Sequence, residues 1–259
     1  MKRHSNIAAL VIVLTLAGCS PDEPPAEPPD SRASSPAYVH VGLIDGAVNV
    51  GLTAFDCLEI EQRTTGGVSG GHGTSVAAVV LGVGDGECRA NDDVVVTSYP
   101  VLDERNGGAT AISIASAIDQ AVEDRVQLLN ISIDLHGDDA RLRTSVERAA
   151  ASGVIIIAAA GNRAGLGAGF PAAYDSVISV GALNSSGELA PFSAASGLDV
   201  AAVGVDVQTI DGSGNPVLAS GTSMASAAIA QVCIEVLRSG QTDRSEVLEA
   251  LSPYGWGSP

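Results

Sequence analysis

The stretch Ala-Ser-Gly-Thr-Ser-Met-Ala, residues 219 to 225, decides how this chain is interpreted. Ser223 stands one residue into a predicted helix, since apolar residues recur at helical spacing after Gly221. These are Ala225, Ala228, Ile229, Val232, Val236 and Leu237. A serine hydroxyl is a weak nucleophile at neutral pH, so it needs a base, a group that orients the base, and donors for a developing oxyanion. The rest of the chain must supply these groups if Ser223 is a nucleophile.

Three polar residues at the ends of apolar segments are candidates for those roles. Asp45 follows a strand-like run, and His72 lies in Gly-His-Gly-Thr at the start of an apolar helical run. Asn162 follows Ala-Gly at the end of another strand-like run. Each motif alone is also typical of an ordinary turn or helix cap. The order Asp45, His72, Asn162, Ser223 predicts one site in which they act together.

Strand and helix patterns alternate along residues 38–259, which predicts a single catalytic domain. Strands are predicted at Val39–Ile44, Val94–Val101, Leu128–Ile133, Val154–Ala160, Val177–Ala182 and Leu198–Ala202; helices are predicted at Thr74–Leu81, Ala109–Val122, Asp138–Ala151 and after Gly221. The predicted fold class is α/β, a three-layer, doubly wound, mostly parallel sheet. Ligands bind such sheets beyond the carboxyl ends of the strands, where Asp45 and Asn162 lie.

Between Tyr38 and Ser239 the motifs and their order resemble those of the subtilisin-like serine proteases. The resemblance implies a serine endopeptidase that hydrolyses peptides or proteins through an acyl-enzyme, without a cofactor. It makes Ser223 the nucleophile, His72 the general base and Asp45 the residue that orients His72. Asn162 and the Ser223 backbone N–H would form the oxyanion hole.

The same resemblance predicts the residues that hold the substrate. The walls would be Ser132, Ile133 and Asp134 on one side and Ala159, Ala160 and Gly161 on the other, with Gly169 at the floor. Asp134 stands where the family normally has glycine. Its carboxylate would attract an Arg or Lys side chain of the substrate, or it would turn outward and leave the pocket open to large apolar groups.

A second departure is Gly46, where the family usually has a Thr or Ser whose hydroxyl can bond the catalytic carboxylate. Gly46 deprives Asp45 of that donor. Together with Asp134, it leaves open an alternative function: a catalytically weak or inactive lipoprotein that binds peptides or a protein partner.

Residues 1–18 have the charged, apolar and small-residue regions of a secretory signal. Leu-Ala-Gly-Cys, residues 16 to 19, resembles the lipobox of bacterial lipoproteins, which implies a lipid on Cys19; a plain signal peptide cut nearby is the alternative. Residues 19–37 are Pro-rich and predict an extended tether. The expected location is the bacterial cell envelope, with a membrane anchor through the lipid. Ser20 favours the outer membrane.

The charge of the chain is strongly negative. The formal net charge is −17, and it becomes −19 when the predicted signal removes Lys2 and Arg3. Such a surface repels phosphate backbones, so nucleic acid is not an expected partner. The sequence specifies no oligomeric state.

The cysteines left after lipidation are Cys57, Cys88 and Cys233. In an oxidising compartment a Cys57–Cys88 disulfide is expected, and Cys233 is expected to be a buried free thiol. No Cys/His spacing predicts zinc. The acidic residues Asp85, Glu87, Asp92 and Asp93 form either a structural calcium loop or, as we favour, a solvated acidic loop.

The anchor can be tested directly at Cys19. We expect Cys19→Ser to move the protein from the membrane fraction to the soluble fraction, because the thioether-linked lipid holds it there. Cys233→Ala should stay with the membrane. Mass spectrometry of the wild-type amino terminus should detect acyl chains, and an unmodified terminus would refute the anchor.

Overall fold

The computed structural model of this chain describes residues 38–63, 70–89, 91–102 and 108–255. The signal, Cys19 and the tether predicted for residues 1–37 lie outside these ranges. Among the described residues, no helix combines the length and apolarity required to cross a bilayer.

Within the described residues, seven parallel strands form one sheet in the order β2-β3-β1-β4-β5-β6-β7. The strands are β1 Val39–Asp45, β2 Glu59–Gln62, β3 Val94–Pro100, β4 Leu128–Ile131, β5 Ile155–Ala159, β6 Ile178–Leu183 and β7 Val200–Val203. A separate antiparallel hairpin consists of β8 Val207–Ile210 and β9 Pro216–Ala219. The predicted parallel sheet is confirmed.

Helices cover both faces of this sheet. They are α1 Gly71–Val80, α2 Ala111–Glu123, α3 Ala140–Ala151, α4 Thr222–Arg238 and α5 Arg244–Ala250. Val41 and Leu43 of β1 pack in the core with α1 and α4, while Ile44 packs in the core with α2 and α3. Central strands covered on both faces are mostly apolar, which is why the sequence pattern predicts them. The three-layer α/β prediction is confirmed.

The predicted strands and helices differ from the described ones by a few residues at their ends, and some described elements were not predicted. Strand β4 ends at Ile131 rather than Ile133, because the chain then leaves the sheet and Leu135 exchanges backbone hydrogen bonds with Phe170. The predictions omitted β2, the β8–β9 hairpin and α5. Strand β2 and the hairpin are partly exposed and lack a continuous apolar run, so pairing with neighbours defines them.

The cysteine predictions are confirmed. Cys57 and Cys88 form a disulfide that joins the segment before α1 to the loop after it. Cys233 is a buried free thiol on α4, and burial raises its pKa to about 12. At neutral pH this thiol stays protonated and unreactive.

The strand order creates a crevice at the carboxyl ends of the strands. The chain passes from β1 to β2 and then β3 on one side of β1, and β4 pairs with β1 on its other side, so the order reverses between β1 and β4. A crevice forms at such a switch point beyond the carboxyl ends of the strands. Asp45 ends β1 there, and Ser132 follows β4.

Candidate active site

Asp45 and His72 form a direct contact at this edge. Asp45 is 1% exposed, and its Oδ1 lies 2.7 Å from His72 Nδ1. A carboxylate only accepts hydrogen bonds, so Nδ1 carries the proton. The other ring nitrogen, Nε2, is thereby left as the basic atom of the neutral imidazole.

The start of α1 brings His72 to Asp45 through a close backbone approach. A Cβ atom on Gly73 would lie 2.2 Å from the Gly46 carbonyl oxygen, so no side chain fits at this position. Helix α1 therefore begins against the residue that follows Asp45. Thr74 fixes the same turn, since its hydroxyl donates to the Gly70 carbonyl and accepts from the Asn49 N–H.

The second oxygen of Asp45 lacks a partner. Oδ1 accepts from both His72 and the Gly46 N–H, but Oδ2 is buried without a hydrogen bond among the described residues. A buried acceptor without a donor costs about 1–3 kcal/mol. This agrees with the donor expected to be lost at Gly46. His72 is held by one carboxylate oxygen while the other stays unsatisfied.

Ser223 is the second residue of α4 and is 7% exposed. Its hydroxyl donates to the Ser132 carbonyl at 3.3 Å. The backbone N–H groups of a first helical turn have no partner within the helix. The Ser223 N–H accordingly makes no hydrogen bond to another described residue, so it can donate to a bound ligand.

Asn162 is held by the residue before Ser223. Its Oδ1 accepts from the Thr222 N–H at 2.9 Å and from the Thr222 hydroxyl at 3.1 Å. A backbone N–H can only donate, so the atom it meets must be the amide oxygen. The Asn162 Nδ2 group therefore points away from Thr222 with its two N–H bonds available to a ligand.

These side chains share one cleft of about 440 Å³. Its lining consists of His72, Leu102, Ser132, Ile133, Asp134, Ala159, Asn162, Thr222 and Ser223. Four of the predicted wall residues are in this set. Ala160, Gly161 and Gly169 are not in this set. All three are buried; Gly161 lies against the Asp134 side chain, and Gly169 lies against the side chains of Asp134 and Arg163.

Sequence reasoning gave no role to Thr222, Ser226 or Arg163. Thr222 joins the start of α4 to the segment after β5, because its hydroxyl also accepts from the Gly161 N–H at 3.1 Å. Ser226 donates to the Ser223 carbonyl at 3.0 Å and supports the first turn of α4. Thr222 directly precedes Ser223, and Ser226 follows it by three residues. This closeness in sequence was the signal that could have identified them. No sequence signal pointed to Arg163, because its partner Asp134 lies far away in the sequence.

Three of the four acidic residues considered as a calcium loop have arginine partners. Asp85 and Glu87 pair with Arg89, and Asp93 pairs with Arg238. In the described part of the chain, no group of three or more His, Cys, Asp or Glu side chains is arranged to hold a metal ion. The arginine partners favour the solvated acidic loop.

Known proteins match both the sequence and the fold. The model of the subtilase family matches residues 57–251. Subtilisin DY of Bacillus licheniformis is 32% identical over 235 residues, which are 83% of this chain and 83% of that protein. Subtilisin E of Bacillus subtilis is 34% identical over 173 residues, 64% of this chain and 45% of that protein. The chain belongs to the subtilase family.

Solved structures agree with that assignment. The prenylagaramide maturation protease PagA has a TM-score of 0.74 at 23% identity and shares the fold over 85% of this chain and 83% of its own. The S41 psychrophilic protease has a TM-score of 0.70 at 26% identity, over 84% and 82% of the two chains.

The contacts of Thr222 predict its contribution to stability. Thr222→Val keeps the side-chain shape but leaves the buried Gly161 N–H without an acceptor. We expect the free energy of unfolding to fall by about 1–3 kcal/mol. Thr144→Val on the exposed surface of α3 is the matched control and should change it by less than about 0.5 kcal/mol. Equal denaturant midpoints for the two variants would contradict the proposed support of Asn162 and Gly161.

Proposed function

We propose that this chain is a serine endopeptidase in which Ser223, His72 and Asp45 act as the catalytic triad. The observation that carries the proposal is the single cleft lined by Ser223, His72 and Asn162, with His72 Nδ1 bonded to buried Asp45. Membership of the subtilase family supports the same chemistry and a peptide or protein substrate.

In the proposed reaction the Ser223 oxygen attacks the carbonyl carbon of the scissile bond. His72 Nε2 takes the hydroxyl proton, and Asp45 stabilises the imidazolium that results. The carbonyl oxygen becomes an oxyanion and accepts hydrogen bonds from Asn162 Nδ2 and the Ser223 N–H. When the intermediate collapses, the C–N bond breaks and His72 returns the proton to the leaving amine. Water then hydrolyses the acyl-enzyme by the same steps.

The resting contact of Ser223 requires one adjustment before attack. Its hydroxyl donates to the Ser132 carbonyl and must transfer that hydrogen bond to His72. Catalytic hydrogen bonds commonly align only when substrate is bound. A substrate backbone that pairs with the segment at Ser132 would compete for this carbonyl and promote the change.

The proposal places the enzyme at the bacterial envelope. Its support is the lipobox-like Leu-Ala-Gly-Cys and the Pro-rich segment that follows it. A lipid on Cys19 would anchor the chain, with the outer membrane as the favoured site. The mechanism assigns each proton transfer to side chains of this chain and needs no cofactor. The non-catalytic alternative is disfavoured because the geometry supplies each group that an acyl transfer requires.

Ser223→Ala should abolish labelling by a fluorophosphonate and lower peptide hydrolysis by ~10⁴-fold or more, since no other group replaces the attacking oxygen. Ser186→Ala, in an exposed loop, is the control and should retain wild-type labelling. Folding is checked by circular dichroism. Unchanged turnover in the Ser223 variant would remove the triad assignment.

The role of His72 predicts the pH dependence of the rate. The imidazole must be neutral to accept the serine proton, and imidazoles ordinarily titrate at roughly pH 6 to 7. The value of kcat/KM should therefore rise between about pH 5 and pH 8 and then level off. A rate that is constant from pH 5 to 9 would argue against His72 as the base.

A further inference from the structure

Resting on the proposed protease function, we propose that the Asp134–Arg163 ion pair closes the floor of the substrate cleft. The enzyme then selects a small, uncharged residue (Gly, Ala or Ser) on the acyl side of the scissile bond. This differs from both expectations drawn from the sequence, an Arg or Lys preference and an open pocket for large apolar groups.

The first support is the position of the pair. Asp134 lines the same cleft as Ser223 and Asn162. Its Oδ2 lies 3.1 Å from Arg163 Nε, and the two side chains are 24% and 21% exposed. Arg163 follows Asn162 directly in the sequence. The ion pair therefore links Asp134, at the cleft beyond the end of β4, to the segment after β5, next to the proposed oxyanion donor.

The second support is how tightly the pair fits against the backbone. A Cβ atom on Gly161 would lie 2.8 Å from Asp134 Oδ2, and Gly161 has a φ of +104° that favours glycine. A Cβ atom on Gly169 would lie 2.6 Å from Arg163 Nη2 and 3.0 Å from Asp134 Oδ2. Both glycines are buried behind the charged pair, which occupies the space that the sequence assigned to a substrate side chain.

The pair also removes the reason for a preference for basic residues. Asp134 already has a guanidinium as its partner, so a substrate Arg would only exchange one guanidinium for another. That exchange would also have to return Arg163 to solvent. Little net selectivity results from swapping equivalent ion pairs. A carboxylate without Arg163 would instead attract substrate cations.

The pair resists simple displacement by an apolar side chain. Asp134 Oδ2 and Arg163 Nε are both buried, and neither makes a hydrogen bond among the described residues, so each depends on the other as its charge partner. Separating them would leave two partly buried charges uncompensated, which is unfavourable. The free energy gained by burying a large apolar side chain is smaller than the cost of separating the ion pair. Such a side chain therefore does not open the floor.

The test is a peptide library that varies only the residue on the acyl side of the scissile bond. It compares wild type, Arg163→Ala and the double variant Asp134→Gly/Arg163→Ala. Arg148→Ala is the matched control, because Arg148 pairs with Asp119 between α3 and α2. Fluorophosphonate labelling of each protein reports an active Ser223 independently of the pocket floor.

Wild type should cleave after Ala at least roughly tenfold faster than after Leu, and the double variant should reverse that preference. Arg163→Ala should raise cleavage after Arg relative to Ala by about tenfold or more, since Asp134 is then unpaired. Arg148→Ala should keep the wild-type profile.

A wild-type profile with Leu or Phe equal to Ala overturns the closed floor, even if the double variant does not fold. So does a labelled double variant whose ratio of Leu to Ala cleavage matches wild type. Absence of labelling in wild type itself would instead refute the proposed protease function.

Discussion

Parallel strand pairing is the constraint on which the site depends. Strands that run in one direction end at one edge of the sheet, so residues distant in sequence meet there without any mutual affinity. Asp45 ends β1, Ser132 follows β4 and Asn162 lies beyond β5. Helix α4 packs beneath β4, β5 and β6 and delivers Ser223 to the same edge. The chemistry can therefore use four separate segments because the sheet has already aligned them.

A smaller set of hydrogen bonds converts that alignment into a fixed geometry. The Thr222 hydroxyl connects the Gly161 N–H to the Asn162 amide oxygen, and the Thr222 N–H donates to the same oxygen. Helix α4, which carries the proposed nucleophile Ser223, and the proposed oxyanion donor Asn162 are thus held as one unit. Preorganised donors are effective because they need not reorient when charge develops.

The sequence predicted the strands and helices whose residues are mostly buried. Strands β1 and β5 and helix α4 are apolar enough to identify, and the motifs around Asp45, His72, Asn162 and Ser223 mark the ends of such elements. Strand β2 could not be predicted, since its residues are polar and only the pairing with β3 makes them a strand. Contacts between loops were equally inaccessible: the sequence indicated that Asp134 is unusual but contained no sign that Arg163 neutralises it.

The two departures from the family pattern affect different steps. At Gly46 the missing hydroxyl leaves Asp45 Oδ2 unsatisfied. In the proposed mechanism this weakens the orientation of His72 and so bears on the rate for every substrate equally. At Asp134 the added carboxylate pairs with Arg163; in the proposed closed floor this pair fills space beside the scissile bond, which bears on the choice among substrates. A restricted floor admits few substrate side chains. A lower rate from Gly46 and a narrower choice of substrate from Asp134 would both be features of a selective enzyme. With the proposed closed floor, such a protease would suit a narrow set of substrates better than general degradation of protein.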